Sequence, residues 1–200
     1  MQTDDIITKE KYREMYHFSE RKCKGLRAMA ENIISADKKI VIDVAATGNN
    51  TKTDEIYRLS VIDISGYILY DSFFVPESYH SKFQVKDLSI IENAPTLREQ
   101  LFKIDEILLS ANTIIGFELG KVMAFLRQSG CIWRTNYDFI SIQTAFEDHC
   151  DTKKAALNDC AAYFGYELQD VKPYDTVEKC NAILHCYNKI IVEGWDIDIE

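Results

Sequence analysis

The feature that most constrains this chain is a single aspartate. Residues 40–44 read IVIDV, an apolar run interrupted only by Asp43. Lys38 and Lys39 precede the run, and Thr47, Gly48, Asn49 and Asn50 follow it, which is the pattern of a strand buried on both faces in mid-sheet and ending in a turn. A carboxylate placed there costs several kcal/mol unless it is paired, hydrogen-bonded or bound to metal. The chain must therefore bring something to Asp43, and whatever arrives there marks the place where chemistry is expected.

The surrounding pattern supplies the sheet. Residues 56–64 and 68–75 are two more strand-like runs, joined through Ser65, Gly66 and Tyr67 as in a tight antiparallel connection. Pro95 and Thr96 then introduce a segment to Leu109 in which Leu97, Leu101, Ile104, Ile107 and Leu108 keep helical spacing behind an N-cap at Thr96. Residues 113–117 form a short apolar strand, residues 122–128 return to helical spacing with Gly130 as the stop, and residues 137–142 are the expected fifth strand. Two helices, 155–164 ended by Gly165 and 176–191, close the chain. This order predicts an α/β fold, a mixed five-stranded sheet flanked by helices, with three antiparallel strands followed by parallel ones. Helical spacing in residues 9–35 adds an extension, so the expected division is an N-terminal helical extension (1–37), the main domain (38–192) and an acidic tail (193–200).

Charge narrows the partners. Lys and Arg number 23 against 32 Asp and Glu, a net charge of −9, which works against long-range attraction to phosphate backbones or anionic membranes. Any nucleic-acid contact is then local, and the cluster Arg21, Lys22, Lys24 and Arg27 is a local basic patch with a solvated helix face as its plain explanation. No apolar run reaches the ~18 residues of a membrane span, and the first ten residues are polar and acidic, so the expectation is a cytoplasmic protein with reduced thiols. The six cysteines include no CxxC knuckle. His149 with Cys150 and His185 with Cys186 are therefore expected to pack rather than to bind zinc.

Three segments carry a family likeness: IVIDVAATG (40–48), NTIIGFELGKVMAFLRQSG (112–130), and LNDCAAYFGYE through YDTVEKCNAILHCYNKI (157–190). In this order and spacing the chain resembles the DnaQ-like DEDDh 3′-to-5′ exonuclease superfamily of the ribonuclease H-like fold. That group contains the proofreading subunit of bacterial DNA polymerase III, RNase T and oligoribonuclease. The resemblance implies a ribonuclease H-like exonuclease fold and a chemistry in which two divalent ions, held by four carboxylates, clamp a phosphodiester while a histidine deprotonates water. Carried over position by position, it places the first metal-binding Asp on Asp43, the Glu two residues later on Ala45, the second-motif Asp on Val122 with its preceding aromatic on Lys121, the general-base His on Tyr174 and the last Asp on Lys179. Of these catalytic positions Asp43 alone is retained, and any metal would have to bind there. Thr47, Gly48, Phe117 and Lys121 fall in the implied substrate cleft.

Neither Ala, Val nor Lys can take the part of an oxygen ligand, and hard divalent ions need several oxygens in fixed geometry. The implied consequence is an exonuclease-family protein without catalysis, acting as a binding or assembly module, with no cofactor. Its partner would be a protein or a nucleic-acid 3′ end, and the likeness to RNase T, whose type is dimeric, extends the expectation to a homodimer. The alternative is a working 3′-to-5′ exonuclease on DNA or RNA using Mg²⁺ or Mn²⁺, with Glu118, Asp175 or Glu178 as substitute ligands. Two readings of Lys179 stay open, an ion pair with Asp43 about 3 Å long or a solvent-facing rim lysine. Two stay open for Tyr174, space filling or base stacking, and Phe73, Phe74, Tyr79 and Phe83 divide between core and base stacking. Loss of a His-Gly pair ahead of Ala94, Pro95 and Thr96 also puts substrate binding in doubt.

Overall fold

The computed structural model describes residues 38–77, 91–132, 134, 136–168 and 175–192. All of them lie in one compact unit, Asp37–Glu200. The expected helical extension, the basic patch around Arg21, the acidic tail, Tyr79, Phe83 and Tyr174 lie outside the described residues.

Five strands, β1 (Lys39–Ala46), β2 (Ile56–Asp63), β3 (Ile68–Phe73), β4 (Thr113–Gly116) and β5 (Asp138–Ser141), form one sheet in the order β3-β2-β1-β4-β5. β1 pairs antiparallel with β2 and parallel with β4; β2 pairs antiparallel with β3, and β4 parallel with β5. The Asp43 strand is therefore central, as its continuous apolar run requires. At the β2–β3 hairpin the Asp63 carboxylate accepts from the amides of Ser65 and Tyr67, while Gly66 takes a φ of 85°, a value that suits glycine.

The helices are α1 (Leu97–Ser110), α2 (Leu119–Gln128), α3 (Ile142–Cys150), α4 (Leu157–Tyr163) and α5 (Thr176–Tyr187), which runs into one π turn at Asn188–Val192. α1 begins where the N-cap pattern places it: the Thr96 hydroxyl accepts from the Glu99 amide, and the Thr96 amide donates to the Glu99 carboxylate. Two sequence expectations need correction. α2 starts at Leu119 rather than at residue 122, which moves Lys121 and Val122 into its first turn. The fifth strand ends at Ser141, and the next nine residues are a helix that apolar counting missed. Its signals were Ser141 as N-cap, accepting from the Thr144 amide, and Ile142 with Phe146 four residues apart on the buried face.

Period-two alternation in β1 divides the core into two layers. Ile40 and Ile42 pack with Leu59, Val61 and Ile114 against Ile104, Leu108, Phe125 and Leu126 of α1 and α2. Val41, on the opposite face, packs with Ile62 and Ile115 against Ile142, Phe146, Cys160 and Ile183 from α3, α4 and α5. Each fully buried side chain of this size contributes about 1.5–3 kcal/mol before the cost of ordering it. Cys131, Cys160, Cys180 and Cys186 are free and buried. Phe74 is wholly buried, and Phe73 is partly buried beneath the Arg58 guanidinium, 4.6 Å from ring centre.

Candidate functional site

The same alternation that buries Val41 sends Asp43 and Ala45 to the α5 side of the sheet, at the end of β1 where the helical cover thins into a cleft. This cleft of about 740 Å³ is lined by Asp43, Ala45, Gly48, Phe117, Lys121, Val122 and Lys179, with Glu118, Asn49 and the loop leading into α4 completing the wall. It thus collects β1, the β4–α2 turn, the first turn of α2 and the first turn of α5. Parallel pairing places the ends of β1 and β4 side by side, and loops clustered at such strand ends are the usual location of sites in open α/β sheets.

Asp43 keeps 14 % of its side-chain surface, and its Oδ2 is buried without a hydrogen-bond partner. Lys179 Nζ lies 3.9 Å from that oxygen. The lysine therefore does reach the aspartate, but as an ion pair longer than the expected charged hydrogen bond of about 3 Å. Burial pushes the Asp43 carboxyl up to about 6, against the opposing pull of the Lys179 ammonium.

Lys179 is held over Asp43 because α5 is anchored from below. Thr176 is fully buried, and its hydroxyl makes a short hydrogen bond with Ser60, the residue paired with Asp43 across β1 and β2. Asp175 caps α5 by accepting from the Glu178 amide, and lies 3.5 Å from Arg58. Arg58 in turn forms a two-pronged pair with Asp71, both contacts 3.0 Å, and Ser60 donates to the same carboxylate at 2.7 Å. Of these positioning residues the sequence singles out Asp175 alone, and as a substitute metal ligand rather than a helix cap. Their signal was present: Arg58 and Ser60 are polar residues two apart in an otherwise apolar strand, so they share one face and need partners.

The carboxylates considered as substitute ligands are occupied elsewhere. Glu178 accepts from the Tyr166 hydroxyl at 2.9 Å, Asp175 faces Arg58, and neither lines the cleft. Glu118, the N-cap residue of α2, is in the cleft wall but pairs with Lys121 at 3.3 Å. Lys121 also donates to Asn49 at 2.9 Å, tying α2 to the β1 turn. Thr47 is absent from the cleft wall, because its hydroxyl accepts from the Glu55 amide and its own amide donates to Glu55. A Cβ at Gly48 would displace the Asp54 carboxylate, which accepts from the Asn50 amide and closes the turn after β1.

An unsatisfied buried carboxylate oxygen suits a cation, but the charge beside Asp43 Oδ2 is already an ammonium. Ala45 and Val122 offer no side-chain oxygen, and among the described residues no group of three or more His, Cys, Asp or Glu could hold a metal. The described residues do not fit two divalent ions, each of which takes about six oxygens. Likewise, His185 packs its ring nitrogen against the Phe164 carbonyl at 2.9 Å rather than joining a zinc site. Among the described residues no helix is long and apolar enough to cross a membrane.

No protein-family model matches the chain. DNA polymerase III subunit epsilon of Aquifex aeolicus (strain VF5) is 24 % identical over 173 residues, covering 78 % of this chain and 81 % of that protein. The S. pombe Pop2p structure in its Mg²⁺- and Mn²⁺-bound form matches with a TM-score of 0.62 at 12 % identity, over 88 % of this chain and 91 % of its own. The nuclease domain of 3′hExo, a DEDDh family member bound to rAMP, matches with a TM-score of 0.57 at 13 % identity, over 84 % and 98 %. The central Asp43 strand, the antiparallel-then-parallel sheet and these structural matches give the chain the ribonuclease H-like exonuclease fold, and its sequence is similar to that of the epsilon subunit, a DnaQ-like exonuclease.

Proposed function

We propose that this chain uses the exonuclease fold as a binding module that does not hydrolyse phosphodiesters. The observation that carries the reading is the Lys179 ammonium 3.9 Å from the buried Asp43 oxygen. A fixed cation on a side chain supplies the charge that a bound metal would, but it holds no water to activate and cannot bridge attacking and leaving oxygens. Ala45 and Val122 in the same wall add apolar surface where the family chemistry calls for ligands. Tyr174, at the position of the family's general base, completes this reading from sequence. The partner is a protein surface or a nucleic-acid 3′ end, and the net charge of −9 confines any nucleic-acid contact to local groups.

The test is cleavage of 3′-labelled single-stranded DNA and RNA by the full chain, with Mg²⁺ and separately Mn²⁺, beside an Asp43→Asn control for contaminating nuclease. The expected result is no 3′ shortening in either metal. Shortening that disappears in Asp43→Asn would overturn the reading and establish a 3′-to-5′ exonuclease that binds its metal through Asp43.

A further inference from the structure

The three helices over the Val41 face of the sheet each bring a cysteine into one apolar cluster. Cys150 ends α3, Cys160 lies in α4 and Cys186 in α5. Cys160 and Cys186 are wholly buried, whereas Cys150 packs against the same cluster and keeps part of its surface in solvent. The Cys160 and Cys186 thiols are hydrogen-bonded to each other, and Cys150 lies close enough to Cys160 to act on it electrostatically. Other contacts hold α3 and α4 together. The Ala155 amide donates to Glu147 at 2.9 Å, the Gln143 side chain donates to the Ala155 carbonyl at 3.2 Å, and the Phe146 ring meets Tyr163 and Phe164 edge-on at 5.4 and 6.0 Å. The other described cysteines stand apart, Cys131 in the opposite core layer and Cys180 against the Val41 and Ser60 carbonyls.

A buried thiol is a poor first target for an oxidant, because the thiolate is the nucleophile. The contact with Cys186 and burial both push the Cys160 thiol up, so Cys160 is suited to meet an oxidised sulfur rather than the oxidant itself. Solvent reaches this cluster at Cys150. We propose that Cys150, Cys160 and Cys186 form a peroxide-responsive thiol relay, in which Cys150 takes the oxidant at the surface and the buried pair stores it as a disulfide between α4 and α5. The Cys150 thiolate attacks hydrogen peroxide, the O–O bond breaks, and a sulfenic acid and one water form. The Cys160 sulfur then attacks the Cys150 sulfur; an S–S bond forms, the S–O bond breaks, and hydroxide leaves as water with the Cys160 proton. Cys186 attacks the Cys160 sulfur in turn, and Cys150 leaves with the Cys186 proton. In sum the two thiols of Cys160 and Cys186 lose two electrons and two protons, and one peroxide becomes two waters. The product ties α4, whose lead-in residues 154–158 wall the cleft, to α5, whose first turn carries Lys179. The relay thus couples oxidant exposure to the spacing across the cleft, whatever the cleft binds.

The test exposes the full chain, reduced and then freed of reductant, to hydrogen peroxide, alkylates the remaining thiols and maps disulfides by mass spectrometry without reduction. The expected result is a Cys160–Cys186 bridge with Cys150 alkylated, reversed by dithiothreitol. Cys150→Ser should lose the bridge over the time in which the parent forms it, although both bridging cysteines remain. Cys150 is partly exposed at a helix end, so an unchanged melting temperature of this variant separates a lost relay from a lost fold. Cys160→Ser should leave a sulfenic acid on Cys150 that dimedone captures. A bridge that forms as fast in Cys150→Ser, a Cys150–Cys160 bridge as the final product, a Cys150 that dimedone never captures, or no bridge at all overturns the proposal. None of these outcomes bears on phosphodiester cleavage, so the non-hydrolytic reading stands or falls separately.

Discussion

Replacing Asp43 by asparagine keeps the side chain's shape and removes its charge, so it isolates what that charge costs the fold. The folded protein holds this carboxyl at about 6, against an ordinary value of 3.8. Because the folded state takes up the proton at higher pH than the unfolded chain does, Asp43 weakens the fold as pH rises through this window. At about 1.36 kcal/mol per pH unit, ionised Asp43 costs roughly 3 kcal/mol at neutral pH, and the cost vanishes below about pH 4. Asp43→Asn is therefore expected to unfold roughly 6–12 °C higher than the parent at pH 7.5, at about 2–4 °C per kcal/mol for a chain of this size. The advantage should shrink steadily toward pH 4. Calorimetric melting of both proteins at several pH values reads the difference directly, and acid effects common to the two cancel. A gap that stays constant with pH, or that widens as pH falls, would refute the reasoning. Lys179→Met sharpens the test: without the ammonium the aspartate's penalty rises, so this variant should be less stable than the parent at neutral pH and recover on acidification.

Other parts of the site make equally direct predictions. Arg58→Met leaves Asp71 and Asp175 without their cation and should destabilise the chain by about 3 kcal/mol in urea unfolding, the cost typical of breaking one side of a largely buried pair. Thr96→Ala removes the hydroxyl half of the α1 capping box and should cost about 1 kcal/mol by the same assay. Gly116→Ala brings a Cβ to 3.0 Å from the Leu119 side chain and 3.3 Å from the Ile42 carbonyl, so thermal unfolding should show a loss of about 1–2 kcal/mol where β4 meets α2.

The sheet was legible because its signals are local. Continuous apolar runs mark β1 and β4, Ser65 and Gly66 mark the hairpin, and Thr96 with Glu99 marks the start of α1. α3 was not legible as a helix, since the strand before it runs directly into Ser141 and only nine residues remain in which to show helical spacing. At the site, Asp43 identified itself by being a charge in an apolar run, and Lys179 was an expected neighbour through the resemblance. Arg58, Ser60, Asp71 and Thr176 remained hidden because a polar side chain states that it needs a partner without stating which one.

By itself, then, the sequence determined the central strand, the order of antiparallel and parallel strands, and the demand for a group to meet Asp43, all of which depend on apolar periodicity and on the cost of a buried charge. The tertiary structure alone decided which groups answer that demand. Thr176 lies 116 residues from Ser60, and Asp175 a similar distance from Arg58. Closing loops of that length costs entropy that local propensity cannot reward, so these contacts exist only once the sheet has formed and α5 has docked on it. The same docking sets the Asp43 to Lys179 distance at 3.9 Å, a separation no sequence spacing encodes.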